Sequence, residues 1–183
     1  LLVTWPDDLA SYVSAPTGGG RPVPGPLKPH IACPTTFGTA SETTGIAVFE
    51  PNPGAIKTGI VSRYLRPTRG LLDPDNLAHL PSPVVAANGF DVLSHALESY
   101  TSRPFTARPH PASPAQRPSS QGANPFGDLA SLEAIRLVAG NLTAAVADPA
   151  DASARQRLMF AGLLAGIGFG NAGNHLPHAM SYP

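Results

Sequence analysis

Apolar residues come in short bursts through the first half of the chain and in long periodic runs through the second. Residues 15–29, APTGGGRPVPGPLKP, hold Gly and Pro too densely for a helix or a central strand, which predicts a linker or surface loop. The bursts that follow read as strands: HIACPTT, then TGIAVFE (Thr44 to Glu50), KTGIVS (Lys57 to Ser62) and RGLLDP (Arg69 to Pro74). EPNPG, between Glu50 and Gly54, has turn chemistry, so the second and third strands are expected to form a hairpin.

The period changes after Pro83. Residues 84–100 read as a helix, and residues 103–125, rich in Pro, Ser, Arg and Gln, as an exposed loop. Asp128 is expected to cap a helix from Leu129 to about Ala147, with Leu129, Leu132, Ile135 and Leu142 as its apolar stripe. DPADAS breaks the pattern, and a further helix runs from Ala154 to about Phe169. The fold class that follows is an α/β part succeeded by an all-helical part, with neither internal repeats nor coiled-coil heptads.

Composition narrows the function classes. Charged residues make up 13% of the 183, and the formal net charge is +0, so no basic field exists to draw nucleic acid or an acidic membrane. A small-molecule ligand or a protein partner is the expectation. Cys33 is the single cysteine, which excludes an internal disulfide and a thiolate cluster within one chain. The most apolar run, Leu158 to Gly170, falls short of the roughly 20 residues that a membrane span needs. The chain opens on Leu1 without a basic, Ser-rich presequence and stops at Pro183 inside its densest motif, the pattern expected of a fragment.

Three stretches carry candidate chemistry. In GFDVLSHALESY, Asp91 and His95 lie four apart and share one helix face. A carboxylate and an imidazole suit a divalent first-row cation; the same spacing also fits a hydrogen-bonded surface pair. NHLPHAM sets His175 and His178 three apart behind the Gly-rich GIGFGNAG, whose glycines allow close backbone approach. These imidazoles either complete a site begun by Asp91 and His95 or bond to loop backbone. PTTFGTASETT follows a strand, and its hydroxyls and N–H groups suit either a phosphate cradle or a solvated turn. Lys57 is either a phosphate partner or an exposed lysine.

With these features placed, the chain resembles the iron-containing alcohol dehydrogenase superfamily, and within it the hydroxyacid–oxoacid transhydrogenase branch. The resemblance rests on SYVSAP, PLKPHIACPTTFGTASETTGIAVFE, SRYLRPTRGLLDP, GFDVLSHALESYT, QGANPFGDLASLEAIRLVA and AGIGFGNAGNHLPHAMSYP. It implies a dehydroquinate synthase-like architecture, truncated at both ends: residues 1–80 as the C-terminal part of a nucleotide-binding α/β domain, and 81–183 as the N-terminal part of a helical metal-binding domain. The implied metal ligands are Asp91, His95 and His178. A fourth, in a PHG-type motif, lies beyond this chain, and His175 matches no ligand.

Tyr182 stands where simple iron alcohol dehydrogenases often carry a second His, as in the transhydrogenase branch. The GGG at 18–20 is not the family's pyrophosphate loop, which lies upstream. Thr35, Thr36, Thr39 and Thr44 match positions lining the nicotinamide nucleotide, and Lys57 a lysine near its ribose and phosphate. Two departures stand out: Phe37 replaces a small residue and is expected to crowd the pocket, and Ala40 replaces a glycine, at little cost unless a positive φ is required.

The resemblance implies a metal-dependent oxidoreductase moving hydride from 4-hydroxybutyrate to 2-oxoglutarate through bound NAD(H), in mitochondria. The metal is Fe(II) or, as the alternative, Zn; Mn also suits the ligands. Carboxylate substrates call for a guanidinium, for which Arg103, Arg108 and Arg117 are candidates. The rival readings are an NAD-dependent iron alcohol dehydrogenase and a truncated binding module without turnover. This chain alone is expected to be inactive. A homo-oligomer is compatible with either enzyme reading.

Overall fold

The computed structural model describes residues 1–52, 56–148 and 150–181, and residue 115 by its backbone alone. The elements are a short helix α1 (Leu9–Tyr12), strands β1 (Ile31–Ala32), β2 (Ile46–Phe49), β3 (Thr58–Val61) and β4 (Arg69–Gly70), then helices α2 (Ser82–Thr101), α3 (Pro125–Ala147), α4 (Ala152–Ala172) and α5 (Leu176–Met180). An α/β part thus precedes a helical one, as the apolar pattern predicts. Pro53, Gly54, Pro149 and Tyr182 lie outside the described residues.

The strands are shorter than the bursts that announce them. β2 and β3 form the expected antiparallel hairpin, pairing Ile46 with Val61 and Phe49 with Thr58. β1 and β4 pair in parallel, Ile31 with Arg69 and Ala32 with Gly70, a contact between distant segments that period-2 patterning cannot reveal. The Pro-rich stretch forms neither helix nor strand, but it is not free in solvent. Val23 packs with Tyr12, Val13 and Ile60 in a small core, with Trp5 and Leu27 against it.

The main core is helical. α2, α3 and α4 pack on one another, and Val92, Ala96, Ala134, Val138, Leu158, Ala161 and Ala165 are buried between them. Phe37 and Leu77 join this core from the first half of the chain. Phe37 is 4% exposed and does not line the cleft described below, so the expected crowding is not observed.

Two expectations for α3 are corrected. Its N-cap is Asn124, whose Oδ1 accepts from Gly127 N at 2.9 Å; Asp128 sits in the first turn, where a carboxylate still favours the helix dipole. Its buried face is Ala130, Ser131, Ala134, Leu137, Val138, Asn141 and Ala145, while Leu129 and Leu132 are 70% and 47% exposed. Small residues dominate the contact because the helices approach closely here, while Leu137 is buried with them and Ile135 and Leu142 of the expected stripe pack against the core. By length and composition α3 could cross a membrane, yet its buried face packs against α2 and α4 as a core helix does.

Close approach also explains α4. A side chain at Gly162 would strike the Phe37 backbone, and one at Gly166 would strike Thr43 and Ala40. The segment 37–43 therefore lies directly on α4. Ala40 itself has φ 47° and ψ 35°, so the left-handed condition that makes alanine costly is met. α4 ends at Gly173, φ 98°, whose N–H bonds to Phe169 O at 2.7 Å, and the chain turns there into α5.

Candidate metal centre

α2 builds one wall of the site. Asp91, His95 and Glu98 follow at i, i+4 and i+7, so the helix puts all three on a single stripe. The segment 37–38 is fastened to the same helix by Asn88. Its Oδ1 accepts from Phe37 N at 3.0 Å and Gly38 N at 2.7 Å, while its Nδ2 donates to Val84 O at 2.8 Å. Gly38 lies so close that an added Cβ would sit 2.8 Å from Asp91 Oδ2.

That clamp delivers the Gly38 carbonyl to His95, whose Nδ1 donates to it at 3.1 Å. The bond selects the tautomer that leaves Nε2 with its lone pair. His95 is 6% exposed and stacks on Phe169, with ring centroids 4.1 Å apart. Burial is the main cause that lowers its pKa to about 4, against the opposing pull of Asp91, so the imidazole is neutral and ligand-competent near pH 7.

α5 supplies the opposite wall. His178 stacks on His95 at 4.5 Å between centroids, and its Nε2 is 3.8 Å from Asp91 Oδ1. Its Nδ1 bonds to Glu98 Oε1, and Glu98 Oε2 accepts from His175 N at 2.5 Å. Glu98 is 2% exposed. Burial pushes its pKa up, but the N–H of His175 and the His178 ring outweigh that, and the net direction is down. His175 itself caps α5, and its Nε2 meets Thr101 Oγ1 at 3.0 Å. It stands beside the cluster rather than in it.

The structure thus brings together Asp91, His95 and His178, with one candidate ligand atom from each lying within 4.8 Å of the others. One carboxylate and two imidazoles form an N/O donor set suited to a divalent first-row cation. Each imidazole has its Nδ1 in a hydrogen bond, which leaves Nε2 as the ligand nitrogen; His95 Nδ1 also lies 3.8 Å from Asp91 Oδ1. The residues present fit the cation that the sequence implies.

A cleft of about 630 Å³ opens beside the cluster. Asp91, His95, His178, Ser94 and Phe169 line it from the helical side, and Thr39, Thr44, Ile46, Val48 and Lys57 from the α/β side. Of the nucleotide-site candidates, Thr39, Thr44 and Lys57 reach this cleft; Thr35 and Thr36 do not line it. Arg103, Arg108 and Arg117 are absent from its lining too. Sequence reasoning missed Glu98 and Asn88. The i+7 step from Asp91 to Glu98 was a visible signal; the reach of Asn88 to a segment some fifty positions away was not.

Two family models match: "Iron-containing alcohol dehydrogenase" over residues 2–74, and "Fe-containing alcohol dehydrogenase family, C-terminal" over residues 118–183. The chain belongs to the iron-containing alcohol dehydrogenase family. Within it, the chain is 54% identical over 177 residues to the mitochondrial hydroxyacid-oxoacid transhydrogenase of Bos taurus, a match covering 96% of this chain and 38% of that protein. It therefore spans well under half the length of the curated relative. Among solved structures, sulfoacetaldehyde reductase from Bifidobacterium kashiwanohense in complex with NAD+ superposes with TM-score 0.81 at 30% identity, covering 100% of this chain and 43% of that one. A 1,3-propanediol oxidoreductase gives 0.79 at 36% identity, covering 98% and 41%.

Proposed function

We propose that this chain forms the metal- and nucleotide-facing cleft of an oxidoreductase that moves hydride from a hydroxy acid to an oxo acid through a bound nicotinamide. One observation carries the reading: Asp91, His95 and His178 converge on the same cleft that Thr39, Thr44 and Lys57 line from the other side. The name of the Bos taurus relative supports the substrate classes, and the NAD+ complex of sulfoacetaldehyde reductase supports the cofactor. The donor is 4-hydroxybutyrate, the acceptor 2-oxoglutarate, the cation Fe(II) and the location mitochondrial. Residues 1–80 belong to the nucleotide-binding domain and 81–183 to the helical metal-binding one.

A divalent cation between Asp91, His95 and His178 supplies Lewis acidity toward an alcohol or carbonyl oxygen. The chain's own residues do the rest. Gly38 O and Glu98 keep both imidazoles in the ligand tautomer. Thr39 and Thr44 offer hydroxyls, and Lys57 a positive charge, to the nucleotide. Ile46, Val48 and Phe169 give the cleft an apolar wall that keeps water from the path of the hydride.

The test incubates the purified protein with Fe(II), 4-hydroxybutyrate and 2-oxoglutarate, with no nucleotide in excess of the protein. Succinate semialdehyde and 2-hydroxyglutarate formed in equal amounts would support transhydrogenation. NADH accumulating from 4-hydroxybutyrate and added NAD+ without any oxo acid would replace it with an ordinary alcohol dehydrogenase. No conversion by this chain alone matches the inactivity expected of it, so the same assay is run on a protein of the relative's full length that carries this cleft, and no conversion there under either condition would leave the binding-module reading.

A further inference from the structure

A second pocket, about 360 Å³, adjoins the cleft and shares Thr44, Ile46, Phe169 and Asn174 with it. Its far side carries two guanidinium residues, Arg63 and Arg66. We infer that this pocket binds the carboxylate of the hydroxy or oxo acid that lies farthest from the reacting carbon. The inference rests on the hydroxy-acid reading above and assigns the specificity for acids to Arg63 and Arg66.

Charge is the first argument. No aspartate or glutamate lines the pocket, so two positive side chains stand unopposed in it. Arg66 makes no ion pair or side-chain hydrogen bond among the described residues, leaving its fork of donors for a ligand. Arg63 is differently held. Its Nη2 donates to Tyr64 Oη at 2.8 Å, and its guanidinium lies 4.8 Å from the Tyr64 ring centroid. Tyr64 is neutral, so the bond orients the guanidinium without cancelling its charge. A planar fork facing a planar carboxylate is the geometry that arginine offers and lysine does not.

Position is the second argument. Phe169 stacks on His95 and also lines the second pocket, so one side chain borders both the metal cluster and the pocket that the arginines line. A short linear acid with its oxygen-bearing reacting end at the cluster extends past Phe169 and Thr44 into this pocket. Ser119 and Asn174 add neutral donors on its rim. The pocket also has room for a nucleotide phosphate, which shares the chemistry of a planar or tetrahedral oxyanion, and the test separates the two.

The test uses purified wild-type protein, Arg66→Gln, Arg66→Lys and Arg63→Gln. Each is titrated calorimetrically with succinate, a non-reacting dicarboxylate, with its neutral diamide, and with NAD+. A charge-assisted hydrogen bond corresponds to roughly 10–100-fold in affinity. The expected result is a loss of that size for succinate in Arg66→Gln, a smaller loss in Arg66→Lys, and no change for NAD+ in any variant. Arg66 is exposed, so thermal melts of its variants should match the wild type.

Equal succinate affinity in all four proteins overturns the subsite, as does a wild type that binds the diamide as tightly as the acid. Weakened NAD+ binding in Arg66→Gln reassigns the pocket to a nucleotide phosphate. These titrations need no turnover. A protein that passes them but fails the transhydrogenation assay keeps its carboxylate subsite and loses the proposed reaction.

Discussion

Glu98 and His178 are 80 positions apart in the chain and hydrogen-bonded to each other, carboxylate to Nδ1. The same carboxylate takes the backbone N–H of His175, so one buried side chain on α2 holds both the ring of His178 and the start of its helix. α5 has only five residues and little packing of its own. Glu98 is therefore what fixes His178 relative to Asp91.

Replacing Glu98 by Gln keeps the volume and removes the charge and one acceptor. Metal affinity should fall by about 10–100-fold, the usual cost of losing a partner behind a ligand. Competition with a chelator reads this directly. Thr101→Val, which removes the contact to His175 Nε2 and the hydroxyl's bond to Leu97 O within α2 but touches neither Glu98 nor His178, should leave the affinity unchanged. Equal affinities for Glu98→Gln and the wild type would contradict a positioning role.

Much of this architecture is legible in the sequence because it is local. The α2 stripe, the β2–β3 hairpin and the break before α4 follow from period and turn chemistry within a few residues. The pairing of β1 with β4, the reach of Asn88 to 37–38, and the buried face of α3 are not local. Leu129 and Leu132 outrank Ala130 and Ala134 in hydrophobicity, so a stripe drawn on hydrophobicity alone misplaces those two, while Ile135 and Leu142 of the same stripe do pack against the core. Asp91 and His95 are read from their spacing, and so are His175 and His178 as candidates to complete the site; the choice of His178 over His175 comes from the family motif and, in space, from Glu98. The left-handed backbone at Ala40 leaves no trace in residue type, since alanine favours the opposite region.

The contact of α4 with the segment 37–43 predicts opposite outcomes for two glycines. Gly162→Ala puts a methyl into the Phe37 backbone and should cost about 1–3 kcal/mol, as overpacking does. Gly140→Ala, on the exposed face of α3 with nothing within 4 Å of the added carbon, should stabilise by about 0.5–1 kcal/mol. Urea denaturation at fixed pH measures both. A destabilising Gly140→Ala alongside a neutral Gly162→Ala would show that α4 does not carry this segment.

Burial of neutral His95 predicts an acid-sensitive fold in metal-free protein. Its folded pKa, about 4, lies below the ordinary value of 6.5, so the unfolded chain binds more protons between those limits. Stability is fully present above pH 6.5, declines as the pH falls through this window, and levels off below 4, a loss on the order of 3 kcal/mol. Glu98, whose pKa is lowered, adds a second loss below the carboxylate range. Denaturation midpoints at pH 7 and pH 4.5 should differ for the wild type and converge for His95→Gln. A midpoint in the wild type that does not move between these pH values would contradict a buried, neutral His95.

Whether Asp91, His95 and His178 hold a cation together is tested most directly by titrating metal-stripped protein with Co(II) and following its visible d–d absorption. The wild type should bind about one equivalent with ligand-field bands of an N/O site. Asp91→Ala, His95→Ala and His178→Ala should each weaken binding by at least roughly tenfold, while His175→Ala, which keeps its backbone N–H to Glu98, should match the wild type. Unchanged Co(II) spectra and affinity in Asp91→Ala, or a loss in His175→Ala as large as in His178→Ala, would contradict the site.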